Sequence, residues 1–200
     1  MRIIAGEYRG QHIKAPSGKV TRPTTDRVRE SVFNILQHTV EKQHVLDLYA
    51  GSGAMGLEAL SRGAQYCAFV DKSPEACRVI RSNLEHLDVE KKRWSIYRQS
   101  VESFLTADLQ RHISESFKLI FADPPYQMGF PDKAVEQLSR WTAFGSPALV
   151  VVETSAHNKV DPEDDRISGE KFDVVRDRTY GDTRIIMLRC KEKGGSSSGR

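Results

Sequence analysis

From His44 onward the chain repeats one pattern: a short apolar run, then a stretch whose apolar residues recur at helical spacing. VLDLY leads into a helix from Ala54, and AFVD into a helix from Pro74 carrying Ala76, Val79, Ile80, Leu84 and Leu87. Runs near Trp94 to Arg98, at LIFAD and at ALVVVE continue the alternation, with helices around Val101 to Leu109 and Asp132 to Trp141 between them. A strand reached only by crossing a helix pairs parallel with its predecessor. Runs this uniformly apolar are covered on both faces. The expected fold is therefore α/β, with a doubly wound, mostly parallel sheet. The ending differs, because Phe172 to Thr179 and Thr183 to Leu188 flank Tyr180-Gly181-Asp182, a turn short enough for an antiparallel hairpin. The polar stretch from Ser155 to Lys171 carries no assignable pattern, and GGSSSGR reads as a flexible tail.

Ahead of this repeat, residues 1 to 15 read as a β-hairpin, with strands Arg2 to Ala5 and His12 to Ala15 around a Gly6 to Gly10 turn. Pro23-Thr24-Thr25-Asp26 then opens an amphipathic helix with Val28, Val32, Ile35 and Leu36 on one face, ending near Thr39. Charge is concentrated here. Residues 1 to 30 hold seven basic and three acidic side chains, so this segment is +4 and the remaining 170 residues are −1 within a total of +3. A basic arm on a near-neutral body suits contact with phosphates, although the same charges also suit a solvated hairpin. The expected organisation is an arm over 1–22, a catalytic domain over 23–190 and a tail over 191–200.

Other classes recede on composition. Cys67, Cys77 and Cys190 lie far apart with no CxxC pair, which argues against a zinc site or a disulfide framework and for a reducing cytosol. No apolar run approaches membrane-spanning length.

Chemistry enters at the end of the first strand, in Asp47-Leu48-Tyr49-Ala50-Gly51-Ser52-Gly53-Ala54-Met55-Gly56, followed by Asp71 at the end of the second. This contains G-x-G-x-x-G with an acidic residue 20 positions after Gly51, so a dinucleotide site fits the spacing. Asp47 fits it poorly, because a carboxylate at the mouth of a pyrophosphate site repels its ligand. A cationic ligand suits Asp47 better. S-adenosylmethionine carries a sulfonium and an α-ammonium group for Asp47 to face, while the glycines admit its backbone approach and Asp71 accepts from both ribose hydroxyls. The expected cofactor contacts are Asp47, Tyr49, Ala50, Gly51, Gly53, Asp71, Lys72 and Asp123, with Ser100 and Val101 placed by their position after the third strand to meet the adenine edge. Ser100 also reads as a plain helix cap.

The fourth strand ends in Asp123-Pro124-Pro125-Tyr126. At average composition this string arises by chance roughly once in a few hundred thousand positions. It stands at the carboxyl edge of a central strand, where open α/β sheets place their chemistry. An exocyclic amino nitrogen of a base is a poor nucleophile because its lone pair is delocalised into the ring. Asp123 and the Pro124 carbonyl can each accept one of its N–H groups, draw the nitrogen toward tetrahedral geometry and aim the lone pair at a methyl donor. Tyr126 offers a face on which a flipped base stacks. Asp123, Pro124 and Tyr126 are the candidate catalytic residues, with no metal expected.

RIIAGEYRG, RPTTDRVRESVFNIL, DLYAGSGAMGLEALSRGA, FVDKS and FADPPY occur in that order, and with them the sequence resembles the bacterial 16S rRNA (guanine(966)-N(2))-methyltransferases from Met1 to about Leu188. The resemblance implies a seven-stranded Rossmann-like sheet, a cytoplasmic monomer, S-adenosylmethionine as donor with S-adenosylhomocysteine as product, and a guanine 2-amino group in 16S rRNA or an assembling small subunit as target. It implies that Arg22-Pro23-Thr24-Thr25 folds over cofactor and base. With the basic arm it makes Arg2, Arg9, Lys14, Arg22, Arg27 and Arg29 candidate RNA contacts, although ion pairs of Arg27 and Arg29 with Asp26 and Glu30 are also available. Ser100 departs from the pattern, since many relatives place Asp there. An adenine amino-methylase of RNA or DNA shares the chemistry of Asp123 to Tyr126, a nicotinamide-dependent oxidoreductase shares the glycine spacing, and an RNA-binding subunit without catalysis shares the arm.

Overall fold

The computed structural model describes residues 1–17, 26–106, 117–124, 138, 144–157 and 171–191. In chain order its elements are α1 (Asp26–Leu36), β1 (His44–Leu48), α2 (Ala54–Ser61), β2 (Tyr66–Asp71), α3 (Pro74–His86), β3 (Trp94–Arg98), α4 (Val101–Thr106), β4 (Phe117–Ala122), β5 (Phe144–Ser155), β6 (Phe172–Tyr180) and β7 (Thr183–Cys190). The strands form one seven-stranded sheet in the order β3-β2-β1-β4-β5-β7-β6. β1 to β5 pair parallel, and β7 runs antiparallel to both β5 and β6. The expected alternation and the terminal hairpin are thus present. The helix expected around Asp132 to Trp141, the unassigned stretch after Ser155 and the tail after Lys191 lie largely or wholly outside the described residues.

Local chemistry accounts for the elements. α3 begins where the Ser73 hydroxyl accepts the Ala76 N–H at 3.3 Å and Pro74 occupies the first turn, and it buries Ala76, Ile80 and Leu84 on one face. α2 is only eight residues long and buried nearly all round. Its placement rests on packing, because a helix this short is not stable alone. Two apolar layers sandwich the sheet. One joins Val32, Phe33 and Leu36 of α1, Leu57 and Leu60 of α2 and Ile80 of α3 to Val45, Phe69 and Phe121. The other joins Phe104 of α4 and Leu138 to Leu46, Leu48, Val70 and Ile120. Alternate residues of β7, Ile185 and Met187 against Ile186 and Leu188, enter opposite layers.

The N-terminal hairpin is less regular than expected. A single antiparallel bridge, Arg2 to His12, replaces two strands, and further main-chain bonds run from Ile3 N–H to the Gln11 carbonyl and from Gly10 N–H to the Ile3 carbonyl, both at 2.9 Å. The segment gains its order from the body instead. Ile3 and Ile13 are buried in the first apolar layer, and Glu58 of α2, itself fully buried, accepts the N–H groups of Ile4 and Ala5 at 2.8 and 3.1 Å. Ser61 adds the Glu7 N–H on its carbonyl at 2.8 Å and the Tyr8 N–H on its hydroxyl at 3.0 Å.

One residue expected at the RNA surface is misplaced by the sequence reading. Arg29 is fully buried: its guanidinium donates to the Arg2 carbonyl, pairs with Asp26 at 3.0 Å and stands 3.6 Å from the Glu58 carboxylate. An arginine enclosed in this way cannot reach a phosphate. The helical face carrying Val28 and Val32 is wide enough to include Arg29, and the N-terminal segment closes over it.

Candidate functional site

β1 and β4 lie side by side at the centre of the sheet, with Leu48 opposite Ala122, while the chain leaves β1 toward β2 on one side and β4 leads to β5 on the other. A crevice opens at such a reversal, outside the carboxyl ends of the strands. Tyr49 to Gly53 leave β1 there, and Asp123 and Pro124 leave β4 there.

The glycine loop is tightly specified. Tyr49, Gly51 and Gly53 all have positive φ, at +57°, +56° and +78°. Gly53 N–H donates to the Ala50 carbonyl at 2.7 Å and Ala50 N–H to the Val70 carbonyl at 3.1 Å, tying the loop to β2. A Cβ on Gly51 would meet nothing nearer than the Tyr49 carbonyl at 3.8 Å, so its backbone faces open space. Gly56 is different: a Cβ there would lie 2.3 Å from the Phe69 ring and 2.6 Å from the Cys67 sulfur. The third glycine therefore sets the approach of α2 to β2, and the first leaves room for a ligand.

Two carboxylates frame the loop. Asp47 is buried, and its Oδ2 accepts the Gly56 N–H at 3.0 Å. Burial pushes its pKa up to about 8, against the lowering effect of that hydrogen bond and with a further upward push from Asp71. Asp71 accepts the Gly51 N–H at 2.9 Å through one oxygen and the Ser73 N–H at 2.8 Å through the other. Each oxygen of an ionised carboxylate offers two lone pairs, so Asp71 retains acceptor capacity while holding the loop. Tyr49 is half-buried, which raises its phenol pKa to about 12 with help from Glu102, and it remains a hydrogen-bond donor at neutral pH.

Lys72 is exposed beyond β2. The Ser100 hydroxyl accepts the Ser103 N–H at 3.0 Å and so caps α4, with buried Val101 in the first turn. Asp123 is exposed and Pro124 buried, immediately past β4. Tyr126 and Arg22 lie outside the described residues. Of the arm's basic residues, Arg2, Arg9, Lys14 and Arg27 are exposed, with Arg2 standing 3.6 Å from Asp26. Among the described residues no helix is long and apolar enough to cross a membrane, and no group of three or more His, Cys, Asp or Glu is gathered as metal ligands.

Sequence reasoning passed over Glu58 and Asn83, whose side chains hold the N-terminal segment against α2 and α3. One signal was available for Glu58, a lone acid within the apolar helix AMGLEALS.

A parallel sheet of this strand order, closed by an antiparallel β7 and carrying a glycine loop after β1 and Asp-Pro after β4, defines a methyltransferase of the doubly wound α/β class. The chain belongs to the family described as conserved hypothetical protein 95, whose sequence profile matches residues 1–189. Over 189 residues, 94% of this chain and 98% of the relative, it is 44% identical to the Bacillus subtilis protein named "Putative rRNA methyltransferase YlbH". It is 34% identical over 158 residues to "Ribosomal RNA small subunit methyltransferase D" of Escherichia coli K12, covering 79% of this chain and 76% of that one. The solved structure titled "Putative methyltransferase yhhF from Escherichia coli" matches with a TM-score of 0.80 and 28% identity, over 96% of this chain and 98% of the other.

Proposed function

We propose that this chain transfers a methyl group from S-adenosylmethionine to the exocyclic 2-amino group of a guanine in 16S rRNA, free or within an assembling small subunit. The observation that carries the reading is the register of β1 against β4, which sets Asp123 and Pro124 beside the glycine loop. The ribosomal RNA named in the relatives' titles supports the substrate class, and the quoted N-terminal motifs support guanine over adenine.

The residues present fit the cofactor. Asp47 holds a proton that a neighbouring ammonium or sulfonium would displace, Asp71 has lone pairs to spare for ribose hydroxyls, and Gly51 leaves space at the loop backbone. Tyr49, Ala50, Gly53, Lys72, Ser100 and Val101 complete the proposed pocket, with the Ser100 oxygen already serving as a cap. When bound, S-adenosylmethionine supplies a methyl group on a sulfonium and leaves as the thioether S-adenosylhomocysteine. Asp123 and the Pro124 carbonyl accept the two amino N–H groups and turn the nitrogen lone pair toward that methyl. The methylated amino group would then carry one proton too many. One proton then passes to the Asp123 carboxylate, which its exposure lets it release to water. Tyr126 stacks on the base. Residues 1–22 act as the RNA-binding arm of the 23–190 domain, with Arg2, Arg9, Lys14, Arg22 and Arg27 toward phosphates.

The test is methyl transfer from labelled S-adenosylmethionine to small-subunit RNA from a strain lacking the enzyme, followed by mapping of the modified nucleotide. Label on an adenine amino group, or no transfer to small-subunit RNA or particles, overturns the reading.

A further inference from the structure

Asn83 of α3 is buried and uses both ends of its amide on two different parts of the site. Its Oδ1 accepts the Lys14 N–H at 2.8 Å, and its Nδ2 donates to the Lys14 carbonyl at 3.0 Å. The same Nδ2 donates its second hydrogen to the Ser52 carbonyl, inside the glycine loop, at 3.1 Å. Only this orientation of the amide satisfies all three bonds, because two carbonyls face the nitrogen and an N–H faces the oxygen. Other anchors of the segment bypass the glycine loop: Glu58 and Ser61 hold residues 4 to 8 to α2, Arg93 reaches Glu7 and Tyr8, and Glu75 accepts the N–H and hydroxyl of Ser17 at 2.7 and 2.6 Å.

We infer that Asn83 is a positioning residue that couples RNA binding at the N-terminal segment to cofactor binding at the glycine loop. The inference rests on the proposed reading that this segment meets RNA and this loop meets S-adenosylmethionine. One NH₂ group serves both Ser52 and Lys14, so a ligand that fixes the loop fixes the plane of the amide and with it the main chain at Lys14. The second ligand then meets a partner already ordered and loses less conformational entropy on binding. Coupling of this kind is reciprocal, so RNA tightens the cofactor by the factor by which the cofactor tightens RNA. It also sets the approach of the arm relative to the donor methyl, which links correct RNA docking to a formed donor pocket.

The experiment measures the affinity of the full-length chain for S-adenosylhomocysteine by calorimetry, alone and with saturating small-subunit RNA. It compares wild type with Asn83→Ala, Asn83→Asp and Glu75→Ala. In the wild type RNA should tighten the cofactor at least about fivefold, the lower end of usual coupling. In Asn83→Ala that ratio should fall to about one, while each ligand alone still binds. Asn83→Asp retains the acceptor for the Lys14 N–H and loses both donors. It should also lose the ratio, and it carries the test where the alanine variant does not fold. Glu75→Ala releases Ser17 without touching the loop and should keep the ratio. A wild-type ratio of one, or an unchanged ratio in the Asn83 variants, overturns the inference with the two sites intact. A wild type that binds either ligand nowhere removes the site reading itself, and the inference falls with it.

Discussion

At the scale of single residues, the two central aspartates are expected to fail in different ways. Asp123→Ala should lower single-turnover methylation by about 100- to 1,000-fold, the usual loss for one well-placed group in a preorganised site, while S-adenosylmethionine, held mainly through Asp47, Asp71 and the glycine loop in the proposed reading, still binds. Tyr126→Phe should be nearly silent, since stacking uses the ring. Equal rates for wild type and Asp123→Ala would misplace the chemistry. Asp47 makes a prediction about pH. Its folded pKa is about 8, raised above the unfolded value near 3.8, so the native state holds the extra proton between these values. Its contribution to stability is then fully present below about pH 4 and is lost as pH rises through about 8. Cofactor affinity should move the other way, because a cation binds the ionised form: it should rise toward pH 8, then level off as the α-amino group of the ligand itself deprotonates near 8. Binding at pH 7 should therefore release protons, visible as a dependence of calorimetric heat on buffer, and Asp47→Asn should abolish that release. The positions of the aspartates were legible because they stand at or next to strand ends that local apolar runs mark. Arg29 was not, since which face of α1 is covered is decided by a segment 27 residues away.

At the scale of elements, β1 to β5 and the terminal hairpin were readable from local apolar runs, whereas strand order was not, because pairing of β1 with β4 joins residues more than 70 positions apart. Gly56 shows the same contrast. Its place in G-x-G-x-x-G was evident, but that it meets Phe69 and Cys67 follows only once α2 lies on β2. Gly56→Ala should force α2 outward and destabilise the protein by about 1–3 kcal/mol, the usual cost of overpacking a well-filled interior. Urea unfolding measures this directly. A change within about 0.5 kcal/mol, the range of ordinary surface substitutions, would show that the helix has slack the packing does not suggest. Ser100 belongs here too, because its oxygen caps α4 and its substitution should weaken that helix as well as any adenine contact.

At the scale of the whole molecule, the N-terminal segment is part of the core rather than an appendage. Glu58→Ala would take one of two carboxylates from the buried Arg29 cation, which keeps Asp26 at 3.0 Å, and would strip the acceptor from the Ile4 and Ala5 N–H groups, so it should cost about 1–3 kcal/mol, the usual loss for buried donors left unsatisfied. Hydrogen exchange should show those two amides losing protection, and retention of protection would refute the anchoring role. Arg9 and Lys14 are exposed on this anchored segment. Replacing both should flatten the salt dependence of RNA binding by roughly one unit of slope per lost phosphate contact, with cofactor affinity alone unchanged. Unchanged salt dependence would leave the segment a purely structural role. The position of β1 in the sheet has a further consequence during synthesis. Every described hydrogen bond and ion pair of the segment lies within the first 93 residues, and so do β1, β2 and the glycine loop, whereas β4 arrives later to cover the remaining edge of β1. In the proposed reading, the donor half of the site is therefore synthesised before Asp123. The proposed site is thus a seam between an earlier half of the chain, with the glycine loop, and a later one, with Asp123 and Pro124.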